Sequence, residues 1–319
     1  MLANVVLERV RDLCFSRLPF GKSREAISVA AEPGPNFICI GMPKTGTGWL
    51  FDQLKFHSDF WVPPIKGMYY LDRPITQSDD ARELLRILGD RERLKIRTAN
   101  LRPLDESDVS FLNLLNSYSG KPRDLERYAA LFQFGAGRIA GDITPGYARL
   151  DEQIIKAIAG RFPNLRVIIL LRDPVERVWS QISMLHRKGK FPPAILKDES
   201  AFRSFLCNDK EVADFAYASK IVRKWSTCAP RVKFEHFFFD DLIENPLATR
   251  ARIISFLCGN PEKPSGELAA DCNRKARYKR LLLSDEAKSL IVNQMSDELY
   301  ECSVLFGGVA TKWLNRYLH

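Results

Sequence analysis

Residues 39–50 read CIGMPKTGTGWL and join two kinds of secondary structure. The apolar run that leads into them, PNFICIGMP, is typical of a buried strand, and the residues from Thr47 to His57 have helical spacing. A glycine-rich turn at the start of a helix directs several backbone N–H groups to one point, where the helix dipole adds positive charge. The stretch therefore predicts an anion-binding loop between a strand and a helix.

The lysine of this loop is displaced relative to nucleotide-binding loops. In an ATP-binding loop a lysine directly precedes Ser or Thr, whose hydroxyl binds magnesium. Here Thr47 occupies the lysine position, and Lys44 lies three residues upstream. The later apolar run VIILL is followed by Arg172 rather than by a carboxylate that would hold magnesium. The pattern favours a site that holds two anionic groups without a metal.

Strand-like and helix-like segments alternate along the chain. GRIAGDI, LRVIILL and RVKFEHFFF are predicted strands, with LRVIILL as the central one, and residues 79–135 are predicted to be largely helical. Alternation of this kind predicts an α/β fold with a P-loop-like central parallel sheet flanked by helices. We expect a single domain over residues 35–319, preceded by an N-terminal helical extension over residues 1–34.

Composition narrows the class of ligand. The net charge of +9 suits an anionic ligand. The seven cysteines are scattered without a CxxC pair and there are only four histidines, so we expect buried, reduced thiols and no metal site. No apolar run approaches the roughly 20 residues of a membrane span. These features predict a cytoplasmic protein without a transmembrane segment, while the apolar, basic N-terminus leaves peripheral membrane contact as an alternative.

Several motifs resemble, in order and spacing, those of sulfotransferases that use 3′-phosphoadenosine 5′-phosphosulfate (PAPS). PKTGTGW resembles their 5′-phosphosulfate loop, and RDPVERVWSQ resembles their 3′-phosphate motif, with Arg172 and Ser180 as the matching pair. GDITPGY resembles a segment of the bacterial and glycan-type branch. The resemblance spans roughly residues 35–260 and implies PAPS as the sulfuryl donor and 3′,5′-ADP (PAP) as the product.

The resemblance also implies which residues bind PAPS. A late basic segment, CNRKARYKR, is the candidate for a loop over the 3′-phosphate, with a solvated surface loop as the alternative. For the tryptophan of the first motif we expect packing under the loop together with partial contact to PAPS. The expected binding residues are Lys44, Thr45, Gly46, Thr47, Gly48, Trp49, Arg172, Ser180, Asn273, Arg274 and Lys275.

Catalysis requires charge stabilisation and a proton acceptor. Lys44 is the candidate that stabilises the negative charge on the departing phosphate. The resemblance to the glycan-type branch implies that the catalytic base is the Glu of a Lys-Glu-x-x-Phe/Tyr-Phe motif. The matching stretch here, IKGMYYLD, has Gly67 at the Glu position. Candidate bases are therefore Asp142 at a strand end, His186 on the helix after the arginine, and Asp72.

Two further explanations of Gly67 stay open: an acceptor acidic enough to need little help, or a variant that lost its carboxylate and that Gly67→Glu would reactivate.

We expect the acceptor to be a hydroxyl (or amine) of a saccharide or glycolipid, with a small molecule as the alternative. Its pocket is expected from residues 73–135 and 187–200. Competing functions are a PAP-binding protein without chemistry, a P-loop kinase and, from charge alone, a nucleic-acid-binding protein.

Overall fold

The computed structural model describes residues 33–72, 105–118, 120–121, 124–264, 266, 268–273 and 280–317. The N-terminal extension predicted for residues 1–34 and the helices predicted between residues 79 and 104 lie almost entirely outside these ranges, so both stay predictions. The binding residues Arg274 and Lys275 also lie outside them.

A five-stranded parallel sheet forms the centre of the molecule, which confirms the predicted α/β fold. The strands lie in the order β2-β3-β1-β4-β5. The segment LRVIILL forms β4, so the prediction that it is the central strand was wrong, and β1 lies at the centre. The strands are β1 Phe37–Gly41, β2 Phe60–Trp61, β3 Ile139–Ile143, β4 Arg166–Leu171 and β5 Lys233–Phe238.

Helices connect the strands and cover both faces of the sheet. In the described part of the chain they are α1 Thr47–Lys55, α2 Glu106–Ser117, α3 Leu125–Ala130, α4 Glu152–Arg161, α5 Pro174–Arg187, α6 Glu199–Asn208, α7 Lys210–Ala213, α8 Ala218–Cys228, α9 Phe239–Glu244, α10 Pro246–Phe256, α11 Asp285–Phe306 and α12 Gly308–Tyr317. Short 3-10 helices include Pro145–Arg149, directly after β3.

The central strand β1 is apolar along its whole length because it is covered on both faces. Ile38 and Ile40 belong to one hydrophobic core, whereas Phe37 and Cys39 belong to a second core on the opposite face. A parallel strand buried on both sides has this continuous apolar pattern. The neighbours β3 and β4 flank β1, so the chain changes sides of β1 between them, and such a switch point is where open parallel sheets bind ligands.

The C-terminal helices fasten the element that follows β4. Asp173 caps the start of α5 through the N–H groups of Val175 and Glu176. Its second oxygen accepts hydrogen bonds from Arg316 at 2.8 Å and from the Tyr317 hydroxyl at 3.0 Å, both on α12. Helix α12 thereby fixes the residue next to Arg172.

Three features of the described residues concern membrane spans, metal ligands and cysteines. No helix there combines the length and the apolar character that crossing a bilayer requires. No group of three or more His, Cys, Asp or Glu side chains is arranged to hold a metal ion. Among the thiols, Cys39, Cys228 and Cys302 are buried as expected, but Cys207 and Cys258 are exposed, so the expectation of buried thiols was wrong for these two.

Candidate functional site

The loop between β1 and α1 has the backbone of an anion-binding turn. Lys44 and Gly46 both have left-handed φ angles, 72° and 98°. A Cβ at Gly46 would lie 2.9 Å from Leu242 Cδ1, so glycine satisfies both the backbone angle and the close packing there. The Thr45 hydroxyl donates to the Met42 carbonyl at 2.7 Å and holds the turn closed. Because Gly46 has no side chain to cap α1, the first N–H groups of α1 are left for a ligand.

Arg172, at the carboxyl end of β4, is bound directly to this loop. Its Nη1 donates to the Lys44 carbonyl at 3.1 Å, and its guanidinium lies 4.4 Å from the centroid of the Phe239 ring. Glu176 accepts from Arg172 at 3.3 Å and also pairs with Arg280. Burial, followed by the nearby Arg280, lowers the pKa of Arg172 from its usual value, although the group stays cationic at neutral pH.

A cavity of about 670 Å³ opens beside the loop. Eight of its lining residues are cationic, and one, Glu211, is acidic. Helix α5 forms one wall, and Pro145 and Gly146 of the 3-10 helix after β3 contribute to the lining as well. The cavity therefore lies at the carboxyl ends of the strands that flank β1, and the charge of its lining suits an anionic ligand.

Most of the predicted PAPS-binding residues come together here. Those that line the cavity are Lys44, Gly46, Thr47, Gly48, Trp49, Arg172, Ser180 and Asn273. Thr45 does not line it, because its side chain is buried within the turn. The arrangement brings the loop, the arginine–serine pair and the start of the late basic segment to a single cavity.

Trp49 joins the loop to that late segment. Its indole N–H donates to the Ala270 carbonyl at 2.5 Å, and one turn further along α1 the Gln53 amide donates to the Ala269 carbonyl at 2.9 Å. The tryptophan is only 2% exposed yet contributes to the cavity lining. This placement agrees with the expected packing under the loop and brings Asn273 to the cavity, whereas contact of Trp49 with PAPS stays a prediction.

Lys66 is a site residue that the predicted binding set omitted. Its ammonium donates to the Thr47 hydroxyl at 3.1 Å and lines the cavity. Thr47 occupies the position of the lysine in an ATP-binding loop, and here its hydroxyl contacts a lysine from another segment. The match of Lys66 to the lysine of the Lys-Glu motif was the available signal.

Asp142, the first candidate base, is not among the cavity-lining residues. It is 1% exposed, and its two oxygens accept hydrogen bonds from the Thr144 hydroxyl at 2.7 Å and the Tyr128 hydroxyl at 3.2 Å. The Thr144 hydroxyl in turn accepts from the Met68 N–H at 3.0 Å. Burial raises the pKa of Asp142 to about 6, since the charged form loses its water. These contacts give Asp142 a structural role that links β3 to the segment around Gly67.

The raised pKa makes a stability prediction for Asp142→Asn. The native carboxyl group holds its proton to about pH 6, whereas the unfolded one loses it near the ordinary aspartate pKa of 3.8. The stability that protonated Asp142 provides is therefore present at about pH 4 and lost as the pH rises through about 6. We expect the wild-type unfolding free energy to fall by about 2 kcal/mol relative to that of Asp142→Asn between about pH 4 and pH 7. Urea unfolding of both proteins measures this difference, and a difference that stays constant or grows with pH contradicts it.

The other two candidate bases also lie outside the cavity lining. The Nδ1 atom of His186 lies 3.2 Å from the Phe191 carbonyl. The Asp72 carboxylate accepts from Arg149 at 3.3 Å and its side chain is 4% exposed. Arg149 is thus one of its partners. None of the three predicted bases is placed at the cavity by this structure.

The backbone angle of Gly67 and the side chain beside it both require glycine at this position. Its φ angle is +81°, and a Cβ there would lie 2.9 Å from Tyr69 Cε2. On its other side the Tyr69 ring lies 3.1 Å from the position of a Cβ on Gly146. Tyr69 lines the cavity and itself has a left-handed φ of 54°. The tyrosine ring therefore occupies the space in which a glutamate at position 67 would begin.

We expect Gly67→Glu to destabilise the protein rather than reactivate it. A non-glycine residue with this φ angle, in addition to the contact with Tyr69, costs roughly 2–4 kcal/mol. Gly137→Glu is the matched control, because Gly137 has a φ of +77° with no atom near its Cβ position. Thermal and urea unfolding should show the larger loss for Gly67→Glu. Equal losses would show that crowding by Tyr69 contributes nothing, and increased sulfuryl transfer would revive the lost-carboxylate explanation.

Comparison with known proteins identifies the family. Residues 35–260 match the model of the Sulfotransferase family, which covers more than half of the chain, so the chain belongs to this family. No curated protein matches it.

Solved structures share the fold. The crystal structure of a sulfotransferase from Alicyclobacillus acidocaldarius superposes with a TM-score of 0.59 at 17% identity, covering 88% of this chain and 98% of that one. The sulfotransferase domain of the olefin synthase from Synechococcus PCC 7002 superposes with a TM-score of 0.46, also at 17% identity, covering 93% and 99%. The first likeness supports the parallel-sheet fold described above.

Proposed function

We propose that this chain transfers a sulfuryl group from PAPS to a hydroxyl (or amine) of an acceptor, a saccharide or glycolipid, and releases PAP. One observation carries the proposal beyond family membership. The anion-binding loop and Arg172 are joined through the Lys44 carbonyl, at 3.1 Å, beside one strongly cationic cavity. Such a site suits a ligand with two separate anionic groups, which PAPS has.

The two ends of PAPS are assigned to different parts of the cavity. The N–H groups at the start of α1, with Thr47 and Gly48, bind the 5′-phosphosulfate. Arg172 and Ser180 bind the 3′-phosphate, since a guanidinium fork and a hydroxyl suit a phosphate monoester. Asn273 and Arg280 line the cavity and complete this binding set in the described part of the chain.

The transfer itself is an in-line displacement at sulfur. The acceptor oxygen forms the new S–O bond, the bond from sulfur to the bridging phosphate oxygen breaks, and the acceptor proton is released. Lys44 lies at the tip of the turn, where its ammonium stabilises the negative charge that grows on the bridging oxygen. Lys66, held on Thr47, adds a second positive charge to the same region. No step of this scheme requires a metal.

The positions of the candidate bases limit how the acceptor can lose its proton. Because Asp142 and His186 lie outside the cavity lining, either would serve as the base only if substrate binding moved it there. Without such a movement the proton leaves to water, and the reaction is limited to acceptors whose conjugate base forms readily.

An acceptor screen with PAPS tests the proposed function. The purified protein is incubated with PAPS and a panel of saccharides, glycolipids and small alcohols or amines, and PAP release and sulfated products are followed by mass spectrometry. The proposal expects acceptor-dependent PAP release that does not require magnesium. PAP binding without turnover on any acceptor would favour the non-catalytic PAP-binding alternative, and magnesium-dependent ATP consumption would favour the kinase.

A further inference from the structure

A second group of cations lines the cavity away from the loop. It consists of Arg149, Arg187, Lys188 and Lys190, and we name it the acceptor-side cluster. Along α5, Arg187 lies seven residues beyond Ser180, a separation of about 10 Å at the helical rise. The charges of the acceptor-side cluster therefore extend beyond the residues assigned to the 3′-phosphate. The loop-side cations of the same cavity, Lys44, Lys66, Arg172 and Arg280, already account for the anionic groups of PAPS.

Two members of the cluster are anchored to one short segment. The Arg149 guanidinium lies 5.0 Å from the centroid of the Phe215 ring and 3.3 Å from an oxygen of Asp214. The Lys190 ammonium lies 2.9 Å from an oxygen of Glu211. Since Glu211 and Phe215 are only four residues apart, their cationic partners lie on the same wall of the cavity.

The partners of these cations differ in how easily a ligand can replace them. Asp72 is 4% exposed and holds the Arg149 guanidinium in place from the protein side. Glu211, which lines the cavity, and Asp214, the other partner of Arg149, are each 40% exposed. Exposed ion pairs contribute little to stability and are screened by salt. An incoming anion can therefore take the place of the exposed carboxylates while Arg149 stays oriented.

We propose that the acceptor-side cluster binds an anionic group of the acceptor, namely a sulfate, phosphate or carboxylate at a distance from the reacting oxygen. The acceptor is then an acidic saccharide rather than a neutral one. Phe215 and Met184 line the same end of the cavity and supply apolar surface against which a sugar ring packs. This inference rests on the proposed function and adds the chemical class of its acceptor.

Calorimetric titration of the PAP-saturated protein tests this inference. The probes are a heparin-derived tetrasaccharide and maltotetraose as its neutral counterpart, and vesicles of phosphatidylglycerol and of phosphatidylcholine separate a saccharide from a lipid source of the anion. We expect the sulfated tetrasaccharide to bind, with affinity that falls as salt rises, and maltotetraose not to bind. In Lys188→Gln/Lys190→Gln the tetrasaccharide affinity should fall at least about 10-fold, while PAP affinity stays within about twofold of wild type.

A matched control separates the cluster from general surface charge. Lys156 and Arg203 are exposed members of helical i,i+4 ion pairs outside the cavity lining. Lys156→Gln/Arg203→Gln removes the same charge and should leave tetrasaccharide affinity unchanged. Arg149→Lys, which keeps the charge opposite Asp72, should weaken tetrasaccharide binding without unfolding the protein.

Several outcomes overturn the inference. These are equal binding of the neutral and sulfated tetrasaccharides, an equal loss in the control variant, or a PAP affinity that falls in the double variant, which would assign these cations to PAPS. Binding of phosphatidylglycerol vesicles in place of the tetrasaccharide, lost in the double variant, supports the anionic class but overturns its saccharide source. A protein that binds no PAP fails the proposed function instead, because that result appears before any acceptor probe is added.

Discussion

Replacing Lys44 by methionine is expected to lower the rate of sulfuryl transfer at saturating PAPS by about 100- to 1,000-fold. Methionine keeps the unbranched stem in the left-handed turn, where φ is 72°, and removes only the charge. Losing one group that stabilises developing negative charge costs this much in enzymes with comparable sites. PAP binding should weaken far less, because the charge on the bridging oxygen is largest during transfer.

Single-turnover rates of PAP formation measure the effect of Lys44→Met. Lys121→Met is the control, because Lys121 is an exposed lysine that does not line the cavity. A rate for Lys44→Met within about threefold of the wild-type rate would contradict the catalytic role of this lysine. A loss confined to PAPS affinity would make Lys44 a binding residue only.

Replacing Arg172 by glutamine is expected to weaken PAP binding by about 10- to 150-fold, which corresponds to the loss of hydrogen bonds from a charged group. Affinity for 5′-AMP, which has no 3′-phosphate, should change much less. The distinction matters because Arg172 also holds the Lys44 carbonyl, so its removal loosens the loop. Loosening alone would weaken PAP and 5′-AMP equally.

Calorimetry with both nucleotides therefore separates the two roles of Arg172. Arg280→Gln is a useful comparison, because Arg280 shares Glu176 with Arg172 but does not contact the loop carbonyl. We expect a smaller loss of PAP affinity for Arg280→Gln. Equal loss of PAP and 5′-AMP affinity in Arg172→Gln would show that Arg172 acts only through the loop.

The sequence was sufficient for the local parts of the fold. The apolar run up to Gly41 and the helical spacing from Thr47 are patterns of neighbouring residues. Both predicted elements, β1 and α1, are present. The position of β4 was not predictable in the same way, because strand order depends on pairing between distant segments. An equally apolar pattern in β1 and β4 does not say which of them is central.

The candidate site was predictable to the extent that its residues belong to motifs. The loop, Arg172 and Ser180 were found because their spacing is local and characteristic. Lys190 lies within the range 187–200 expected for the acceptor pocket, but Arg149 was missed, because basic residues are common on any surface and only the tertiary fold shows which ones line a cavity. Asp142 was correctly placed at a strand end, but its hydrogen bond from Tyr128 is a long-range contact that no local pattern reveals.

Gly67 illustrates a substitution that sequence comparison and structure explain differently. As a departure from Lys-Glu-x-x-Phe/Tyr-Phe it suggested a missing base. In three dimensions, its positive φ and the adjacent Tyr69 ring require glycine. Gly67 therefore does not show that a catalytic carboxylate was lost. The group that takes the proton depends on the sulfuryl acceptor and on the other residues of the cavity.

Calorimetric titration with PAP, with 5′-AMP, and with ATP plus magnesium tests whether the cavity is a PAPS site. We expect micromolar binding of PAP that is unaffected by magnesium and that weakens at least about 10-fold when the 3′-phosphate is absent. Tight, magnesium-dependent binding of ATP together with no binding of PAP would contradict it.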